Sequence, residues 1–322
     1  MKLAFIIDPI AFLDPGHDSS VAMMEAAQQL GHEVWITQAA QLSVIDNKAW
    51  AYLESVLLKP VQLVDGYWQA ESHWYQIGDR NLICLEEMDA VFMRTDPPVT
   101  VPYLYTTYIL DLIDPQKTLV VNSPQGIRNA NEKMYALQFT SVIPETIVSQ
   151  DKGVIAKFVQ EKKSAVLKPL GGKGGEGILF LQEGDRNFNS IIEVSTQRGR
   201  EPVMVQEYLP AAKQGDKRII LLEGKPIGAV NRVPSGEEFR GNMAVGGKAE
   251  KIDITPREQE ICRVVAPKLL EDRLYFVGID VIGGYLTEVN VTSPTGIREI
   301  DRLNNVNLGK QVIEWLESKL SA

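Results

Sequence analysis

The chain has 322 residues, 44% apolar and 23% charged, with a net charge of −9. That is the composition of an ordinary soluble globular protein. The acidic balance and the lack of a basic block argue against a nucleic-acid surface, and no run approaches the ~18 apolar residues that a membrane span needs. Cys84 and Cys262 lie far apart and match no metal spacing, so they read as reduced structural thiols of a cytoplasmic protein. At this length two or three lobes are expected rather than one core.

The start, Met1-Lys2-Leu-Ala-Phe-Ile-Ile-Asp8, has an apolar run too short for a signal peptide and predicts a buried strand over 3–7. A helix over 19–30 follows, N-capped by Asp18 or Ser19 and closed by Gly31, then a strand over 33–37. Residues 43–58 and 67–76 read as an excursion of strands, before a strand over 89–93, a helix over 102–113 and a strand over 119–121. This alternation predicts an open α/β lobe over 1–122. Asn122-Ser-Pro124 marks its exit, and two helical segments run to about residue 139. A helix over 151–161, strands over 165–168 and 178–181 and a helix over 188–197 complete a small α+β piece, residues 123–202. Strands over 203–207, 218–222 and 227–233, a long helix over 256–270, a hairpin and two more helices form the third lobe, 203–322.

Two segments carry chemistry. Val166-Leu167-Lys168-Pro169-Leu170 is an apolar strand ending in a lysine, and Gly171-Gly-Lys173-Gly-Gly-Glu-Gly177 follows at once. Such a loop serves either as a floppy hairpin tip or as a backbone cover for phosphate oxygens. It has neither the Gly-Lys-Ser/Thr of a P-loop nor a dinucleotide spacing. Near the C-terminus, Gly283-Gly284 joins two short β runs. Period two puts Glu288 and Asn290 on one face, and folding back across the turn brings Asp280 level with them. Two carboxylates and an amide oxygen suit a hard cation such as Mg²⁺; a solvated edge hairpin is the other reading.

These segments, in this order, resemble the ATP-grasp ligases and, within them, the bacterial glutathione synthetases. The resemblance extends over Ile7-Asp8-Pro9-Ile10, Met93-Arg94-Thr95-Asp96-Pro97-Pro98, Asn131-Glu-Lys133, Tyr208-Leu-Pro210, Gly215-Asp-Lys-Arg218 and Arg240-Gly-Asn242-Met-Ala-Val-Gly-Gly247, besides the two segments above. It implies an ATP-grasp fold: an α/β pre-ATP-grasp domain, a small central lid and a C-terminal α+β domain. It also implies an ATP-dependent ligase that joins γ-glutamylcysteine to glycine through an acyl phosphate, with Mg²⁺ or Mn²⁺, in a cytoplasmic homotetramer. Other carboxylate–amine ligases, such as D-alanine–D-alanine ligase or a glutamate-adding type, and a nucleotide-binding protein without turnover are the alternatives.

On the same resemblance, Asp280, Glu288 and Asn290 hold the metal, while Lys133, Lys168 and Gly171, Gly172, Gly174 and Gly175 contact phosphates. Adenine is expected on Gln206, Glu207, Tyr208 and Leu209, and ribose on Asp216. Arg218, Arg232 and Asn242 stabilise the transferring phosphoryl and acyl phosphate. Asp8 and Arg94, at strand ends where ligands gather in open α/β sheets, are substrate candidates, though a helix cap and a surface ion pair are the plainer readings. Arg94 suits a bidentate carboxylate contact. Ser293 and Thr295 lie beside the metal hairpin, and Arg298 is a second clamp or a helix-surface charge. His17 reads as surface.

Overall fold

A computed structural model describes residues 1–235 and 247–321 of the chain; Asn242 therefore lies outside the described residues. The first sheet begins with β1 (Lys2–Ile6), buried from Leu3 onward, which pairs in parallel with β2 (Glu33–Thr37). Between them runs α1 (Ser19–Gln29). Asp18 is its N-cap: Oδ1 accepts the N–H groups of Ser20 and Val21 at 2.6 and 3.0 Å, donors that would otherwise be orphaned. Gly31 then turns the chain at φ +83, where only glycine sits without strain.

The excursion over residues 42–84 is antiparallel: β3 (Leu42–Ile45), β4 (Lys48–Leu58) and β7 (Tyr75–Cys84) extend the sheet, and β5 (Gln62–Val64) with β6 (Tyr67–Gln69) form a separate hairpin. β8 (Ala90–Met93), α2 (Val101–Leu110) and β9 (Leu119–Val121) complete the lobe, with β1, β8 and β9 parallel. Next come the short α3 (Pro124–Asn129) and a 3₁₀ turn, Met134–Gln138.

A four-stranded sheet follows, of β10 (Thr146–Ser149), β11 (Ser164–Pro169), β12 (Leu179–Gln182) and β13 (Val203–Glu207), covered by α4 (Lys152–Lys162) and α5 (Phe188–Ser195). This corrects the expected membership of residues 203–207 in the third lobe. β13 pairs with both β10 and β11, and its Val203 and Val205 join Ile155, Val159, Leu167 and Leu181 in a core separate from the rest. An apolar strand shows its burial in its sequence but not its partner. The stretch from Glu132 to Val142 departs the other way, resting on the third sheet through Val289 N–H to Glu132 O at 2.9 Å and Leu286 N–H to Val142 O at 2.8 Å.

The third sheet holds β14 (Asp216–Leu222), β15 (Lys225–Val233), β16 (Lys248–Lys251), β17 (Phe276–Ile282) and β18 (Tyr285–Asn290). Its long helix α6 (Pro256–Glu271) starts at a Thr255–Glu258 capping box. α7 (Ile297–Asn304) and α8 (Leu308–Leu320) end the chain, α8 packing on α1. The first and third sheets thus share core residues: Phe5, Phe92, Ile220, Phe276 and Ile313 belong to one cluster. Buried Asn122 stitches them, donating to the carbonyls of Phe276 and Val291 at 2.8 Å and accepting Phe276 N–H at 2.8 Å. No helix of the described residues is long and apolar enough to cross a membrane, and Cys84 and Cys262 are free and buried.

Asp301 ties α7 to α8 by accepting Leu308 N–H at 2.8 Å. Burial pushes its carboxyl up from 3.8 to about 7. A raised carboxyl contributes stability while protonated, fully below its unfolded value, and that contribution is lost as pH rises through 7. Asp301→Asn keeps the acceptor and removes the buried charge. The variant should therefore exceed the parent by on the order of 2 kcal/mol at pH 8, a gap that closes toward pH 4 in urea melts at the two pH values.

Candidate active site

A cavity of about 810 Å³ opens between the three sheets. The four-stranded sheet supplies its first cation. Ala165 and Leu167 of β11 turn into the small core, so Lys168 faces the cavity, where its Nζ donates to Gln206 Oε1 at 2.9 Å. Burial lowers the Lys168 pKa. Lys133 Nζ, also buried, donates to the Gly172 carbonyl at 2.7 Å and pairs with Glu288 at 3.0 Å. Gly172, Gly174 and Gly175 line the cavity; Gly171 does not. Lys173 of the same loop reaches Asp96 of the first lobe at 2.9 Å. Both partners are half-exposed, so this bridge guides the loop more than it stabilises it.

At the end of β13, Gln206, Glu207, Tyr208 and Leu209 form another wall. The N–H groups of Glu207 and Tyr208 are spent on Glu145 O and Ser164 O, at 2.9 and 3.3 Å. Leu209 N–H donates to none of the described residues.

The third sheet carries the densest charge. β17 and β18 pair antiparallel across Gly283-Gly284 with Asp280 directly opposite Glu288, as the hairpin reading expects. Arg218 Nε and Nη2 fork onto the two Asp280 oxygens at 2.6 and 3.2 Å, and its Nη1 donates to Thr295 O at 2.9 Å. Arg232 Nη2 bridges Asp216 at 2.5 Å and Asp280 at 2.9 Å. Burial opposes the charge on Asp280, yet Arg218 and Arg232 outweigh it and hold the carboxyl well below the usual carboxylate range. Asp216 shares only one guanidinium; burial pushes its carboxyl up to about 6, and its Oδ1 has no partner among the described residues. Arg218 is 7% exposed, far from the solubilising strand arginine that its position suggests.

Asp280, Glu288 and Asn290 all line the cavity. Asn290 Nδ2 donates to Gly278 O and Asp280 Oδ2 at 3.2 and 3.3 Å, which leaves its amide oxygen uncommitted among the described residues. Among those residues no trio of His, Cys, Asp or Glu is grouped to hold a metal. Two carboxylates and an amide oxygen nevertheless fit a hard cation that completes its shell with phosphate oxygens and water.

Of the substrate candidates, Ser293 and Thr295 line the cavity, while Asp8, Arg94 and Arg298 do not. Asp8 instead accepts Asp96 N–H at 3.1 Å. Arg94, 4% exposed, turns inward to Ser20 Oγ at 3.0 Å and Pro294 O at 2.9 Å, over the Phe276 ring. Burial lowers its pKa, and it props the loop that bears Ser293 and Thr295, while its Nη1 has no partner among the described residues. Arg298 is buried against Glu25 at 2.7 Å and Pro15 O at 3.1 Å. Three cavity residues escaped sequence reasoning. Glu132 accepts Val291 N–H, Thr292 N–H and Thr292 Oγ1–H at 2.9, 3.1 and 2.8 Å, and burial raises its pKa. His17, read as surface, lines the cavity with Glu299, its Nδ1 lying 2.5 Å from Glu299 Oε1. The only hint was the nearness of His17 to Asp8 at a strand end.

The fold is similar to those of solved ATP-grasp ligases. The ATP-grasp ligase PsnB with a minimal precursor aligns at TM-score 0.64 and 18% identity over 98% of each chain. D-cycloserine synthetase DcsG aligns at 0.65 and 14%, over 99% of this chain and 100% of that one. The chain therefore has the ATP-grasp fold. The description "Prokaryotic glutathione synthetase, N-terminal domain" matches residues 1–128, and "Prokaryotic glutathione synthetase, ATP-grasp domain" matches 132–305. The glutathione synthetase of Nostoc sp. is 69% identical over 99% of both chains, and that of Synechocystis sp. 67% over 99% of this chain and 100% of its own. The chain belongs to the prokaryotic glutathione synthetase family.

Because Arg298 lies outside the cavity and is spent on Glu25 and Pro15 O, Arg298→Met should leave the KM for ATP within about twofold, while stranding Glu25 costs about 3–5 kcal/mol of stability. Initial rates and a denaturant melt read the two effects separately.

Proposed function

We propose that the cavity converts ATP, γ-glutamylcysteine and glycine to glutathione, ADP and phosphate. The observation that carries this reading is the convergence of four buried cations, Lys133, Lys168, Arg218 and Arg232, beside a glycine loop in a chain of this family. A carboxylate is a poor electrophile, so the cysteinyl carboxylate first attacks the γ-phosphorus and expels ADP. The amine of glycine then adds to the acyl phosphate, and phosphate leaves. Both steps spread negative charge over phosphoryl oxygens, and fixed cations in a dry site stabilise it without reorganising.

Lys133 and Lys168 serve the α- and β-phosphates, with Gly172, Gly174 and Gly175 as cover. Leu209 N–H and the backbone beside Tyr208 take the adenine edge, and the unpartnered Asp216 Oδ1 takes a ribose hydroxyl. Arg218 and Arg232 face the transferring group, a role the family resemblance also gives to Asn242, and Ser293 and Thr295 hold the reacting end of the peptide. Mg²⁺ or Mn²⁺ would be held by Asp280, Glu288 and Asn290, supplying charge neutralisation to the phosphates.

ADP release should require γ-glutamylcysteine and glycine together, and D-alanine should not replace them. Glu288→Gln should melt normally and lose at least ~10²-fold in turnover. Near-normal turnover of that variant at saturating Mg²⁺ would remove Glu288 from the cation site.

A further inference from the structure

At the cavity wall built by residues 12–18 and the first turn of α7, one carboxylate oxygen stands out. Glu299 is 7% exposed and lines the cavity; its Oε1 meets His17 Nδ1 at 2.5 Å, but its Oε2 is buried with no hydrogen-bond partner among the described residues. A buried acceptor without a donor is costly, so such an atom in a binding cavity points to a donor that a ligand brings. The surroundings select its charge. Glu299, with Asp14 and Asp18, raises the His17 pKa, so this corner is acidic while the walls that carry Lys133, Lys168, Arg218 and Arg232 are cationic. A cationic donor is favoured here and a phosphate is not.

We infer that Glu299 and His17 form a subsite for the α-ammonium group at the γ-glutamyl end of the dipeptide. Glu299 Oε2 accepts an ammonium N–H, and His17 is a positioning residue that holds the carboxylate toward the cavity. The inference rests on the reaction proposed above. Glycine is the poorer occupant, because its nitrogen must lose a proton to attack, and a carboxylate that binds its ammonium form withholds the lone pair. The dipeptide fits both ends of the cavity: its reacting carboxylate needs the cations, and its amino group needs an anion. Helix α7 begins immediately after Gly296, whose Cβ position lies 3.3 Å from Arg218 Cγ, so Glu299 is about one helical turn from the cationic network.

The test compares γ-glutamylcysteine with its desamino analogue, N-glutarylcysteine, in the parent enzyme, Glu299→Gln and His17→Gln. The parent should show a KM about ten- to a hundred-fold higher for the analogue, the range of a charge-assisted hydrogen bond. Glu299→Gln should raise the γ-glutamylcysteine KM by a similar factor, erase the discrimination and leave the KM for ATP and glycine within about twofold. His17 has a side chain 38% exposed, so His17→Gln should fold readily and show the same KM effect, smaller, with little change in kcat. Discrimination that survives in both variants, or a rise confined to the KM of ATP or glycine, overturns the subsite. Absence of ADP release by the parent with γ-glutamylcysteine and glycine is a separate result: it overturns the reaction, and the subsite with it.

Discussion

One buried carboxylate organises the catalytic wall. Asp280 accepts from both Arg218 and Arg232, and Arg232 passes on to Asp216. Neither guanidinium can wander, because leaving would strand Asp280 in a site with almost no solvent. The arrangement holds cationic groups ready, at a fixed place, for charge that appears only during reaction. It also explains why these arginines can sit in strands of a buried sheet at all: β14 and β17 are neighbours, with Arg218 directly opposite Asp280.

The strap over residues 291–295 is tied to the same network through Arg218 and to two further charges. Glu132 grips Val291 and Thr292, Arg94 holds Pro294 O, and Arg218 holds Thr295 O. Three charged side chains from three parts of the chain thus fasten one short segment by its backbone. Ser293 and Thr295 gain a defined orientation without needing to be part of any regular element.

The features legible in the sequence were local ones. The Gly283-Gly284 hairpin announces that Asp280 and Glu288 meet, because period two and a tight turn leave little choice of register. Asp18 before an apolar helix, and five glycines after Lys168, are equally direct. What stayed hidden depended on which way a side chain turns once its strand ends. Arg94 and Arg298 have the chemistry of carboxylate clamps, yet Arg94 turns to Ser20 Oγ and Pro294 O, and Arg298 to Pro15 O and the internal acid Glu25. His17 has the look of a loop residue, and only the arrival of α7 from the far end of the chain gives it Glu299. β13 failed for a related reason, since its apolar run would suit either sheet.

The separate core beneath the four-stranded sheet has a kinetic consequence. The first and third sheets are welded by Asn122 and a common interior, and the Asp280 network sits on that joint body. The glycine loop hangs on the unit whose packing is its own. Any movement of that unit would leave the arginines clasped to their acids. The cationic wall then keeps its geometry from one round to the next, and the arginines need no repositioning before chemistry resumes.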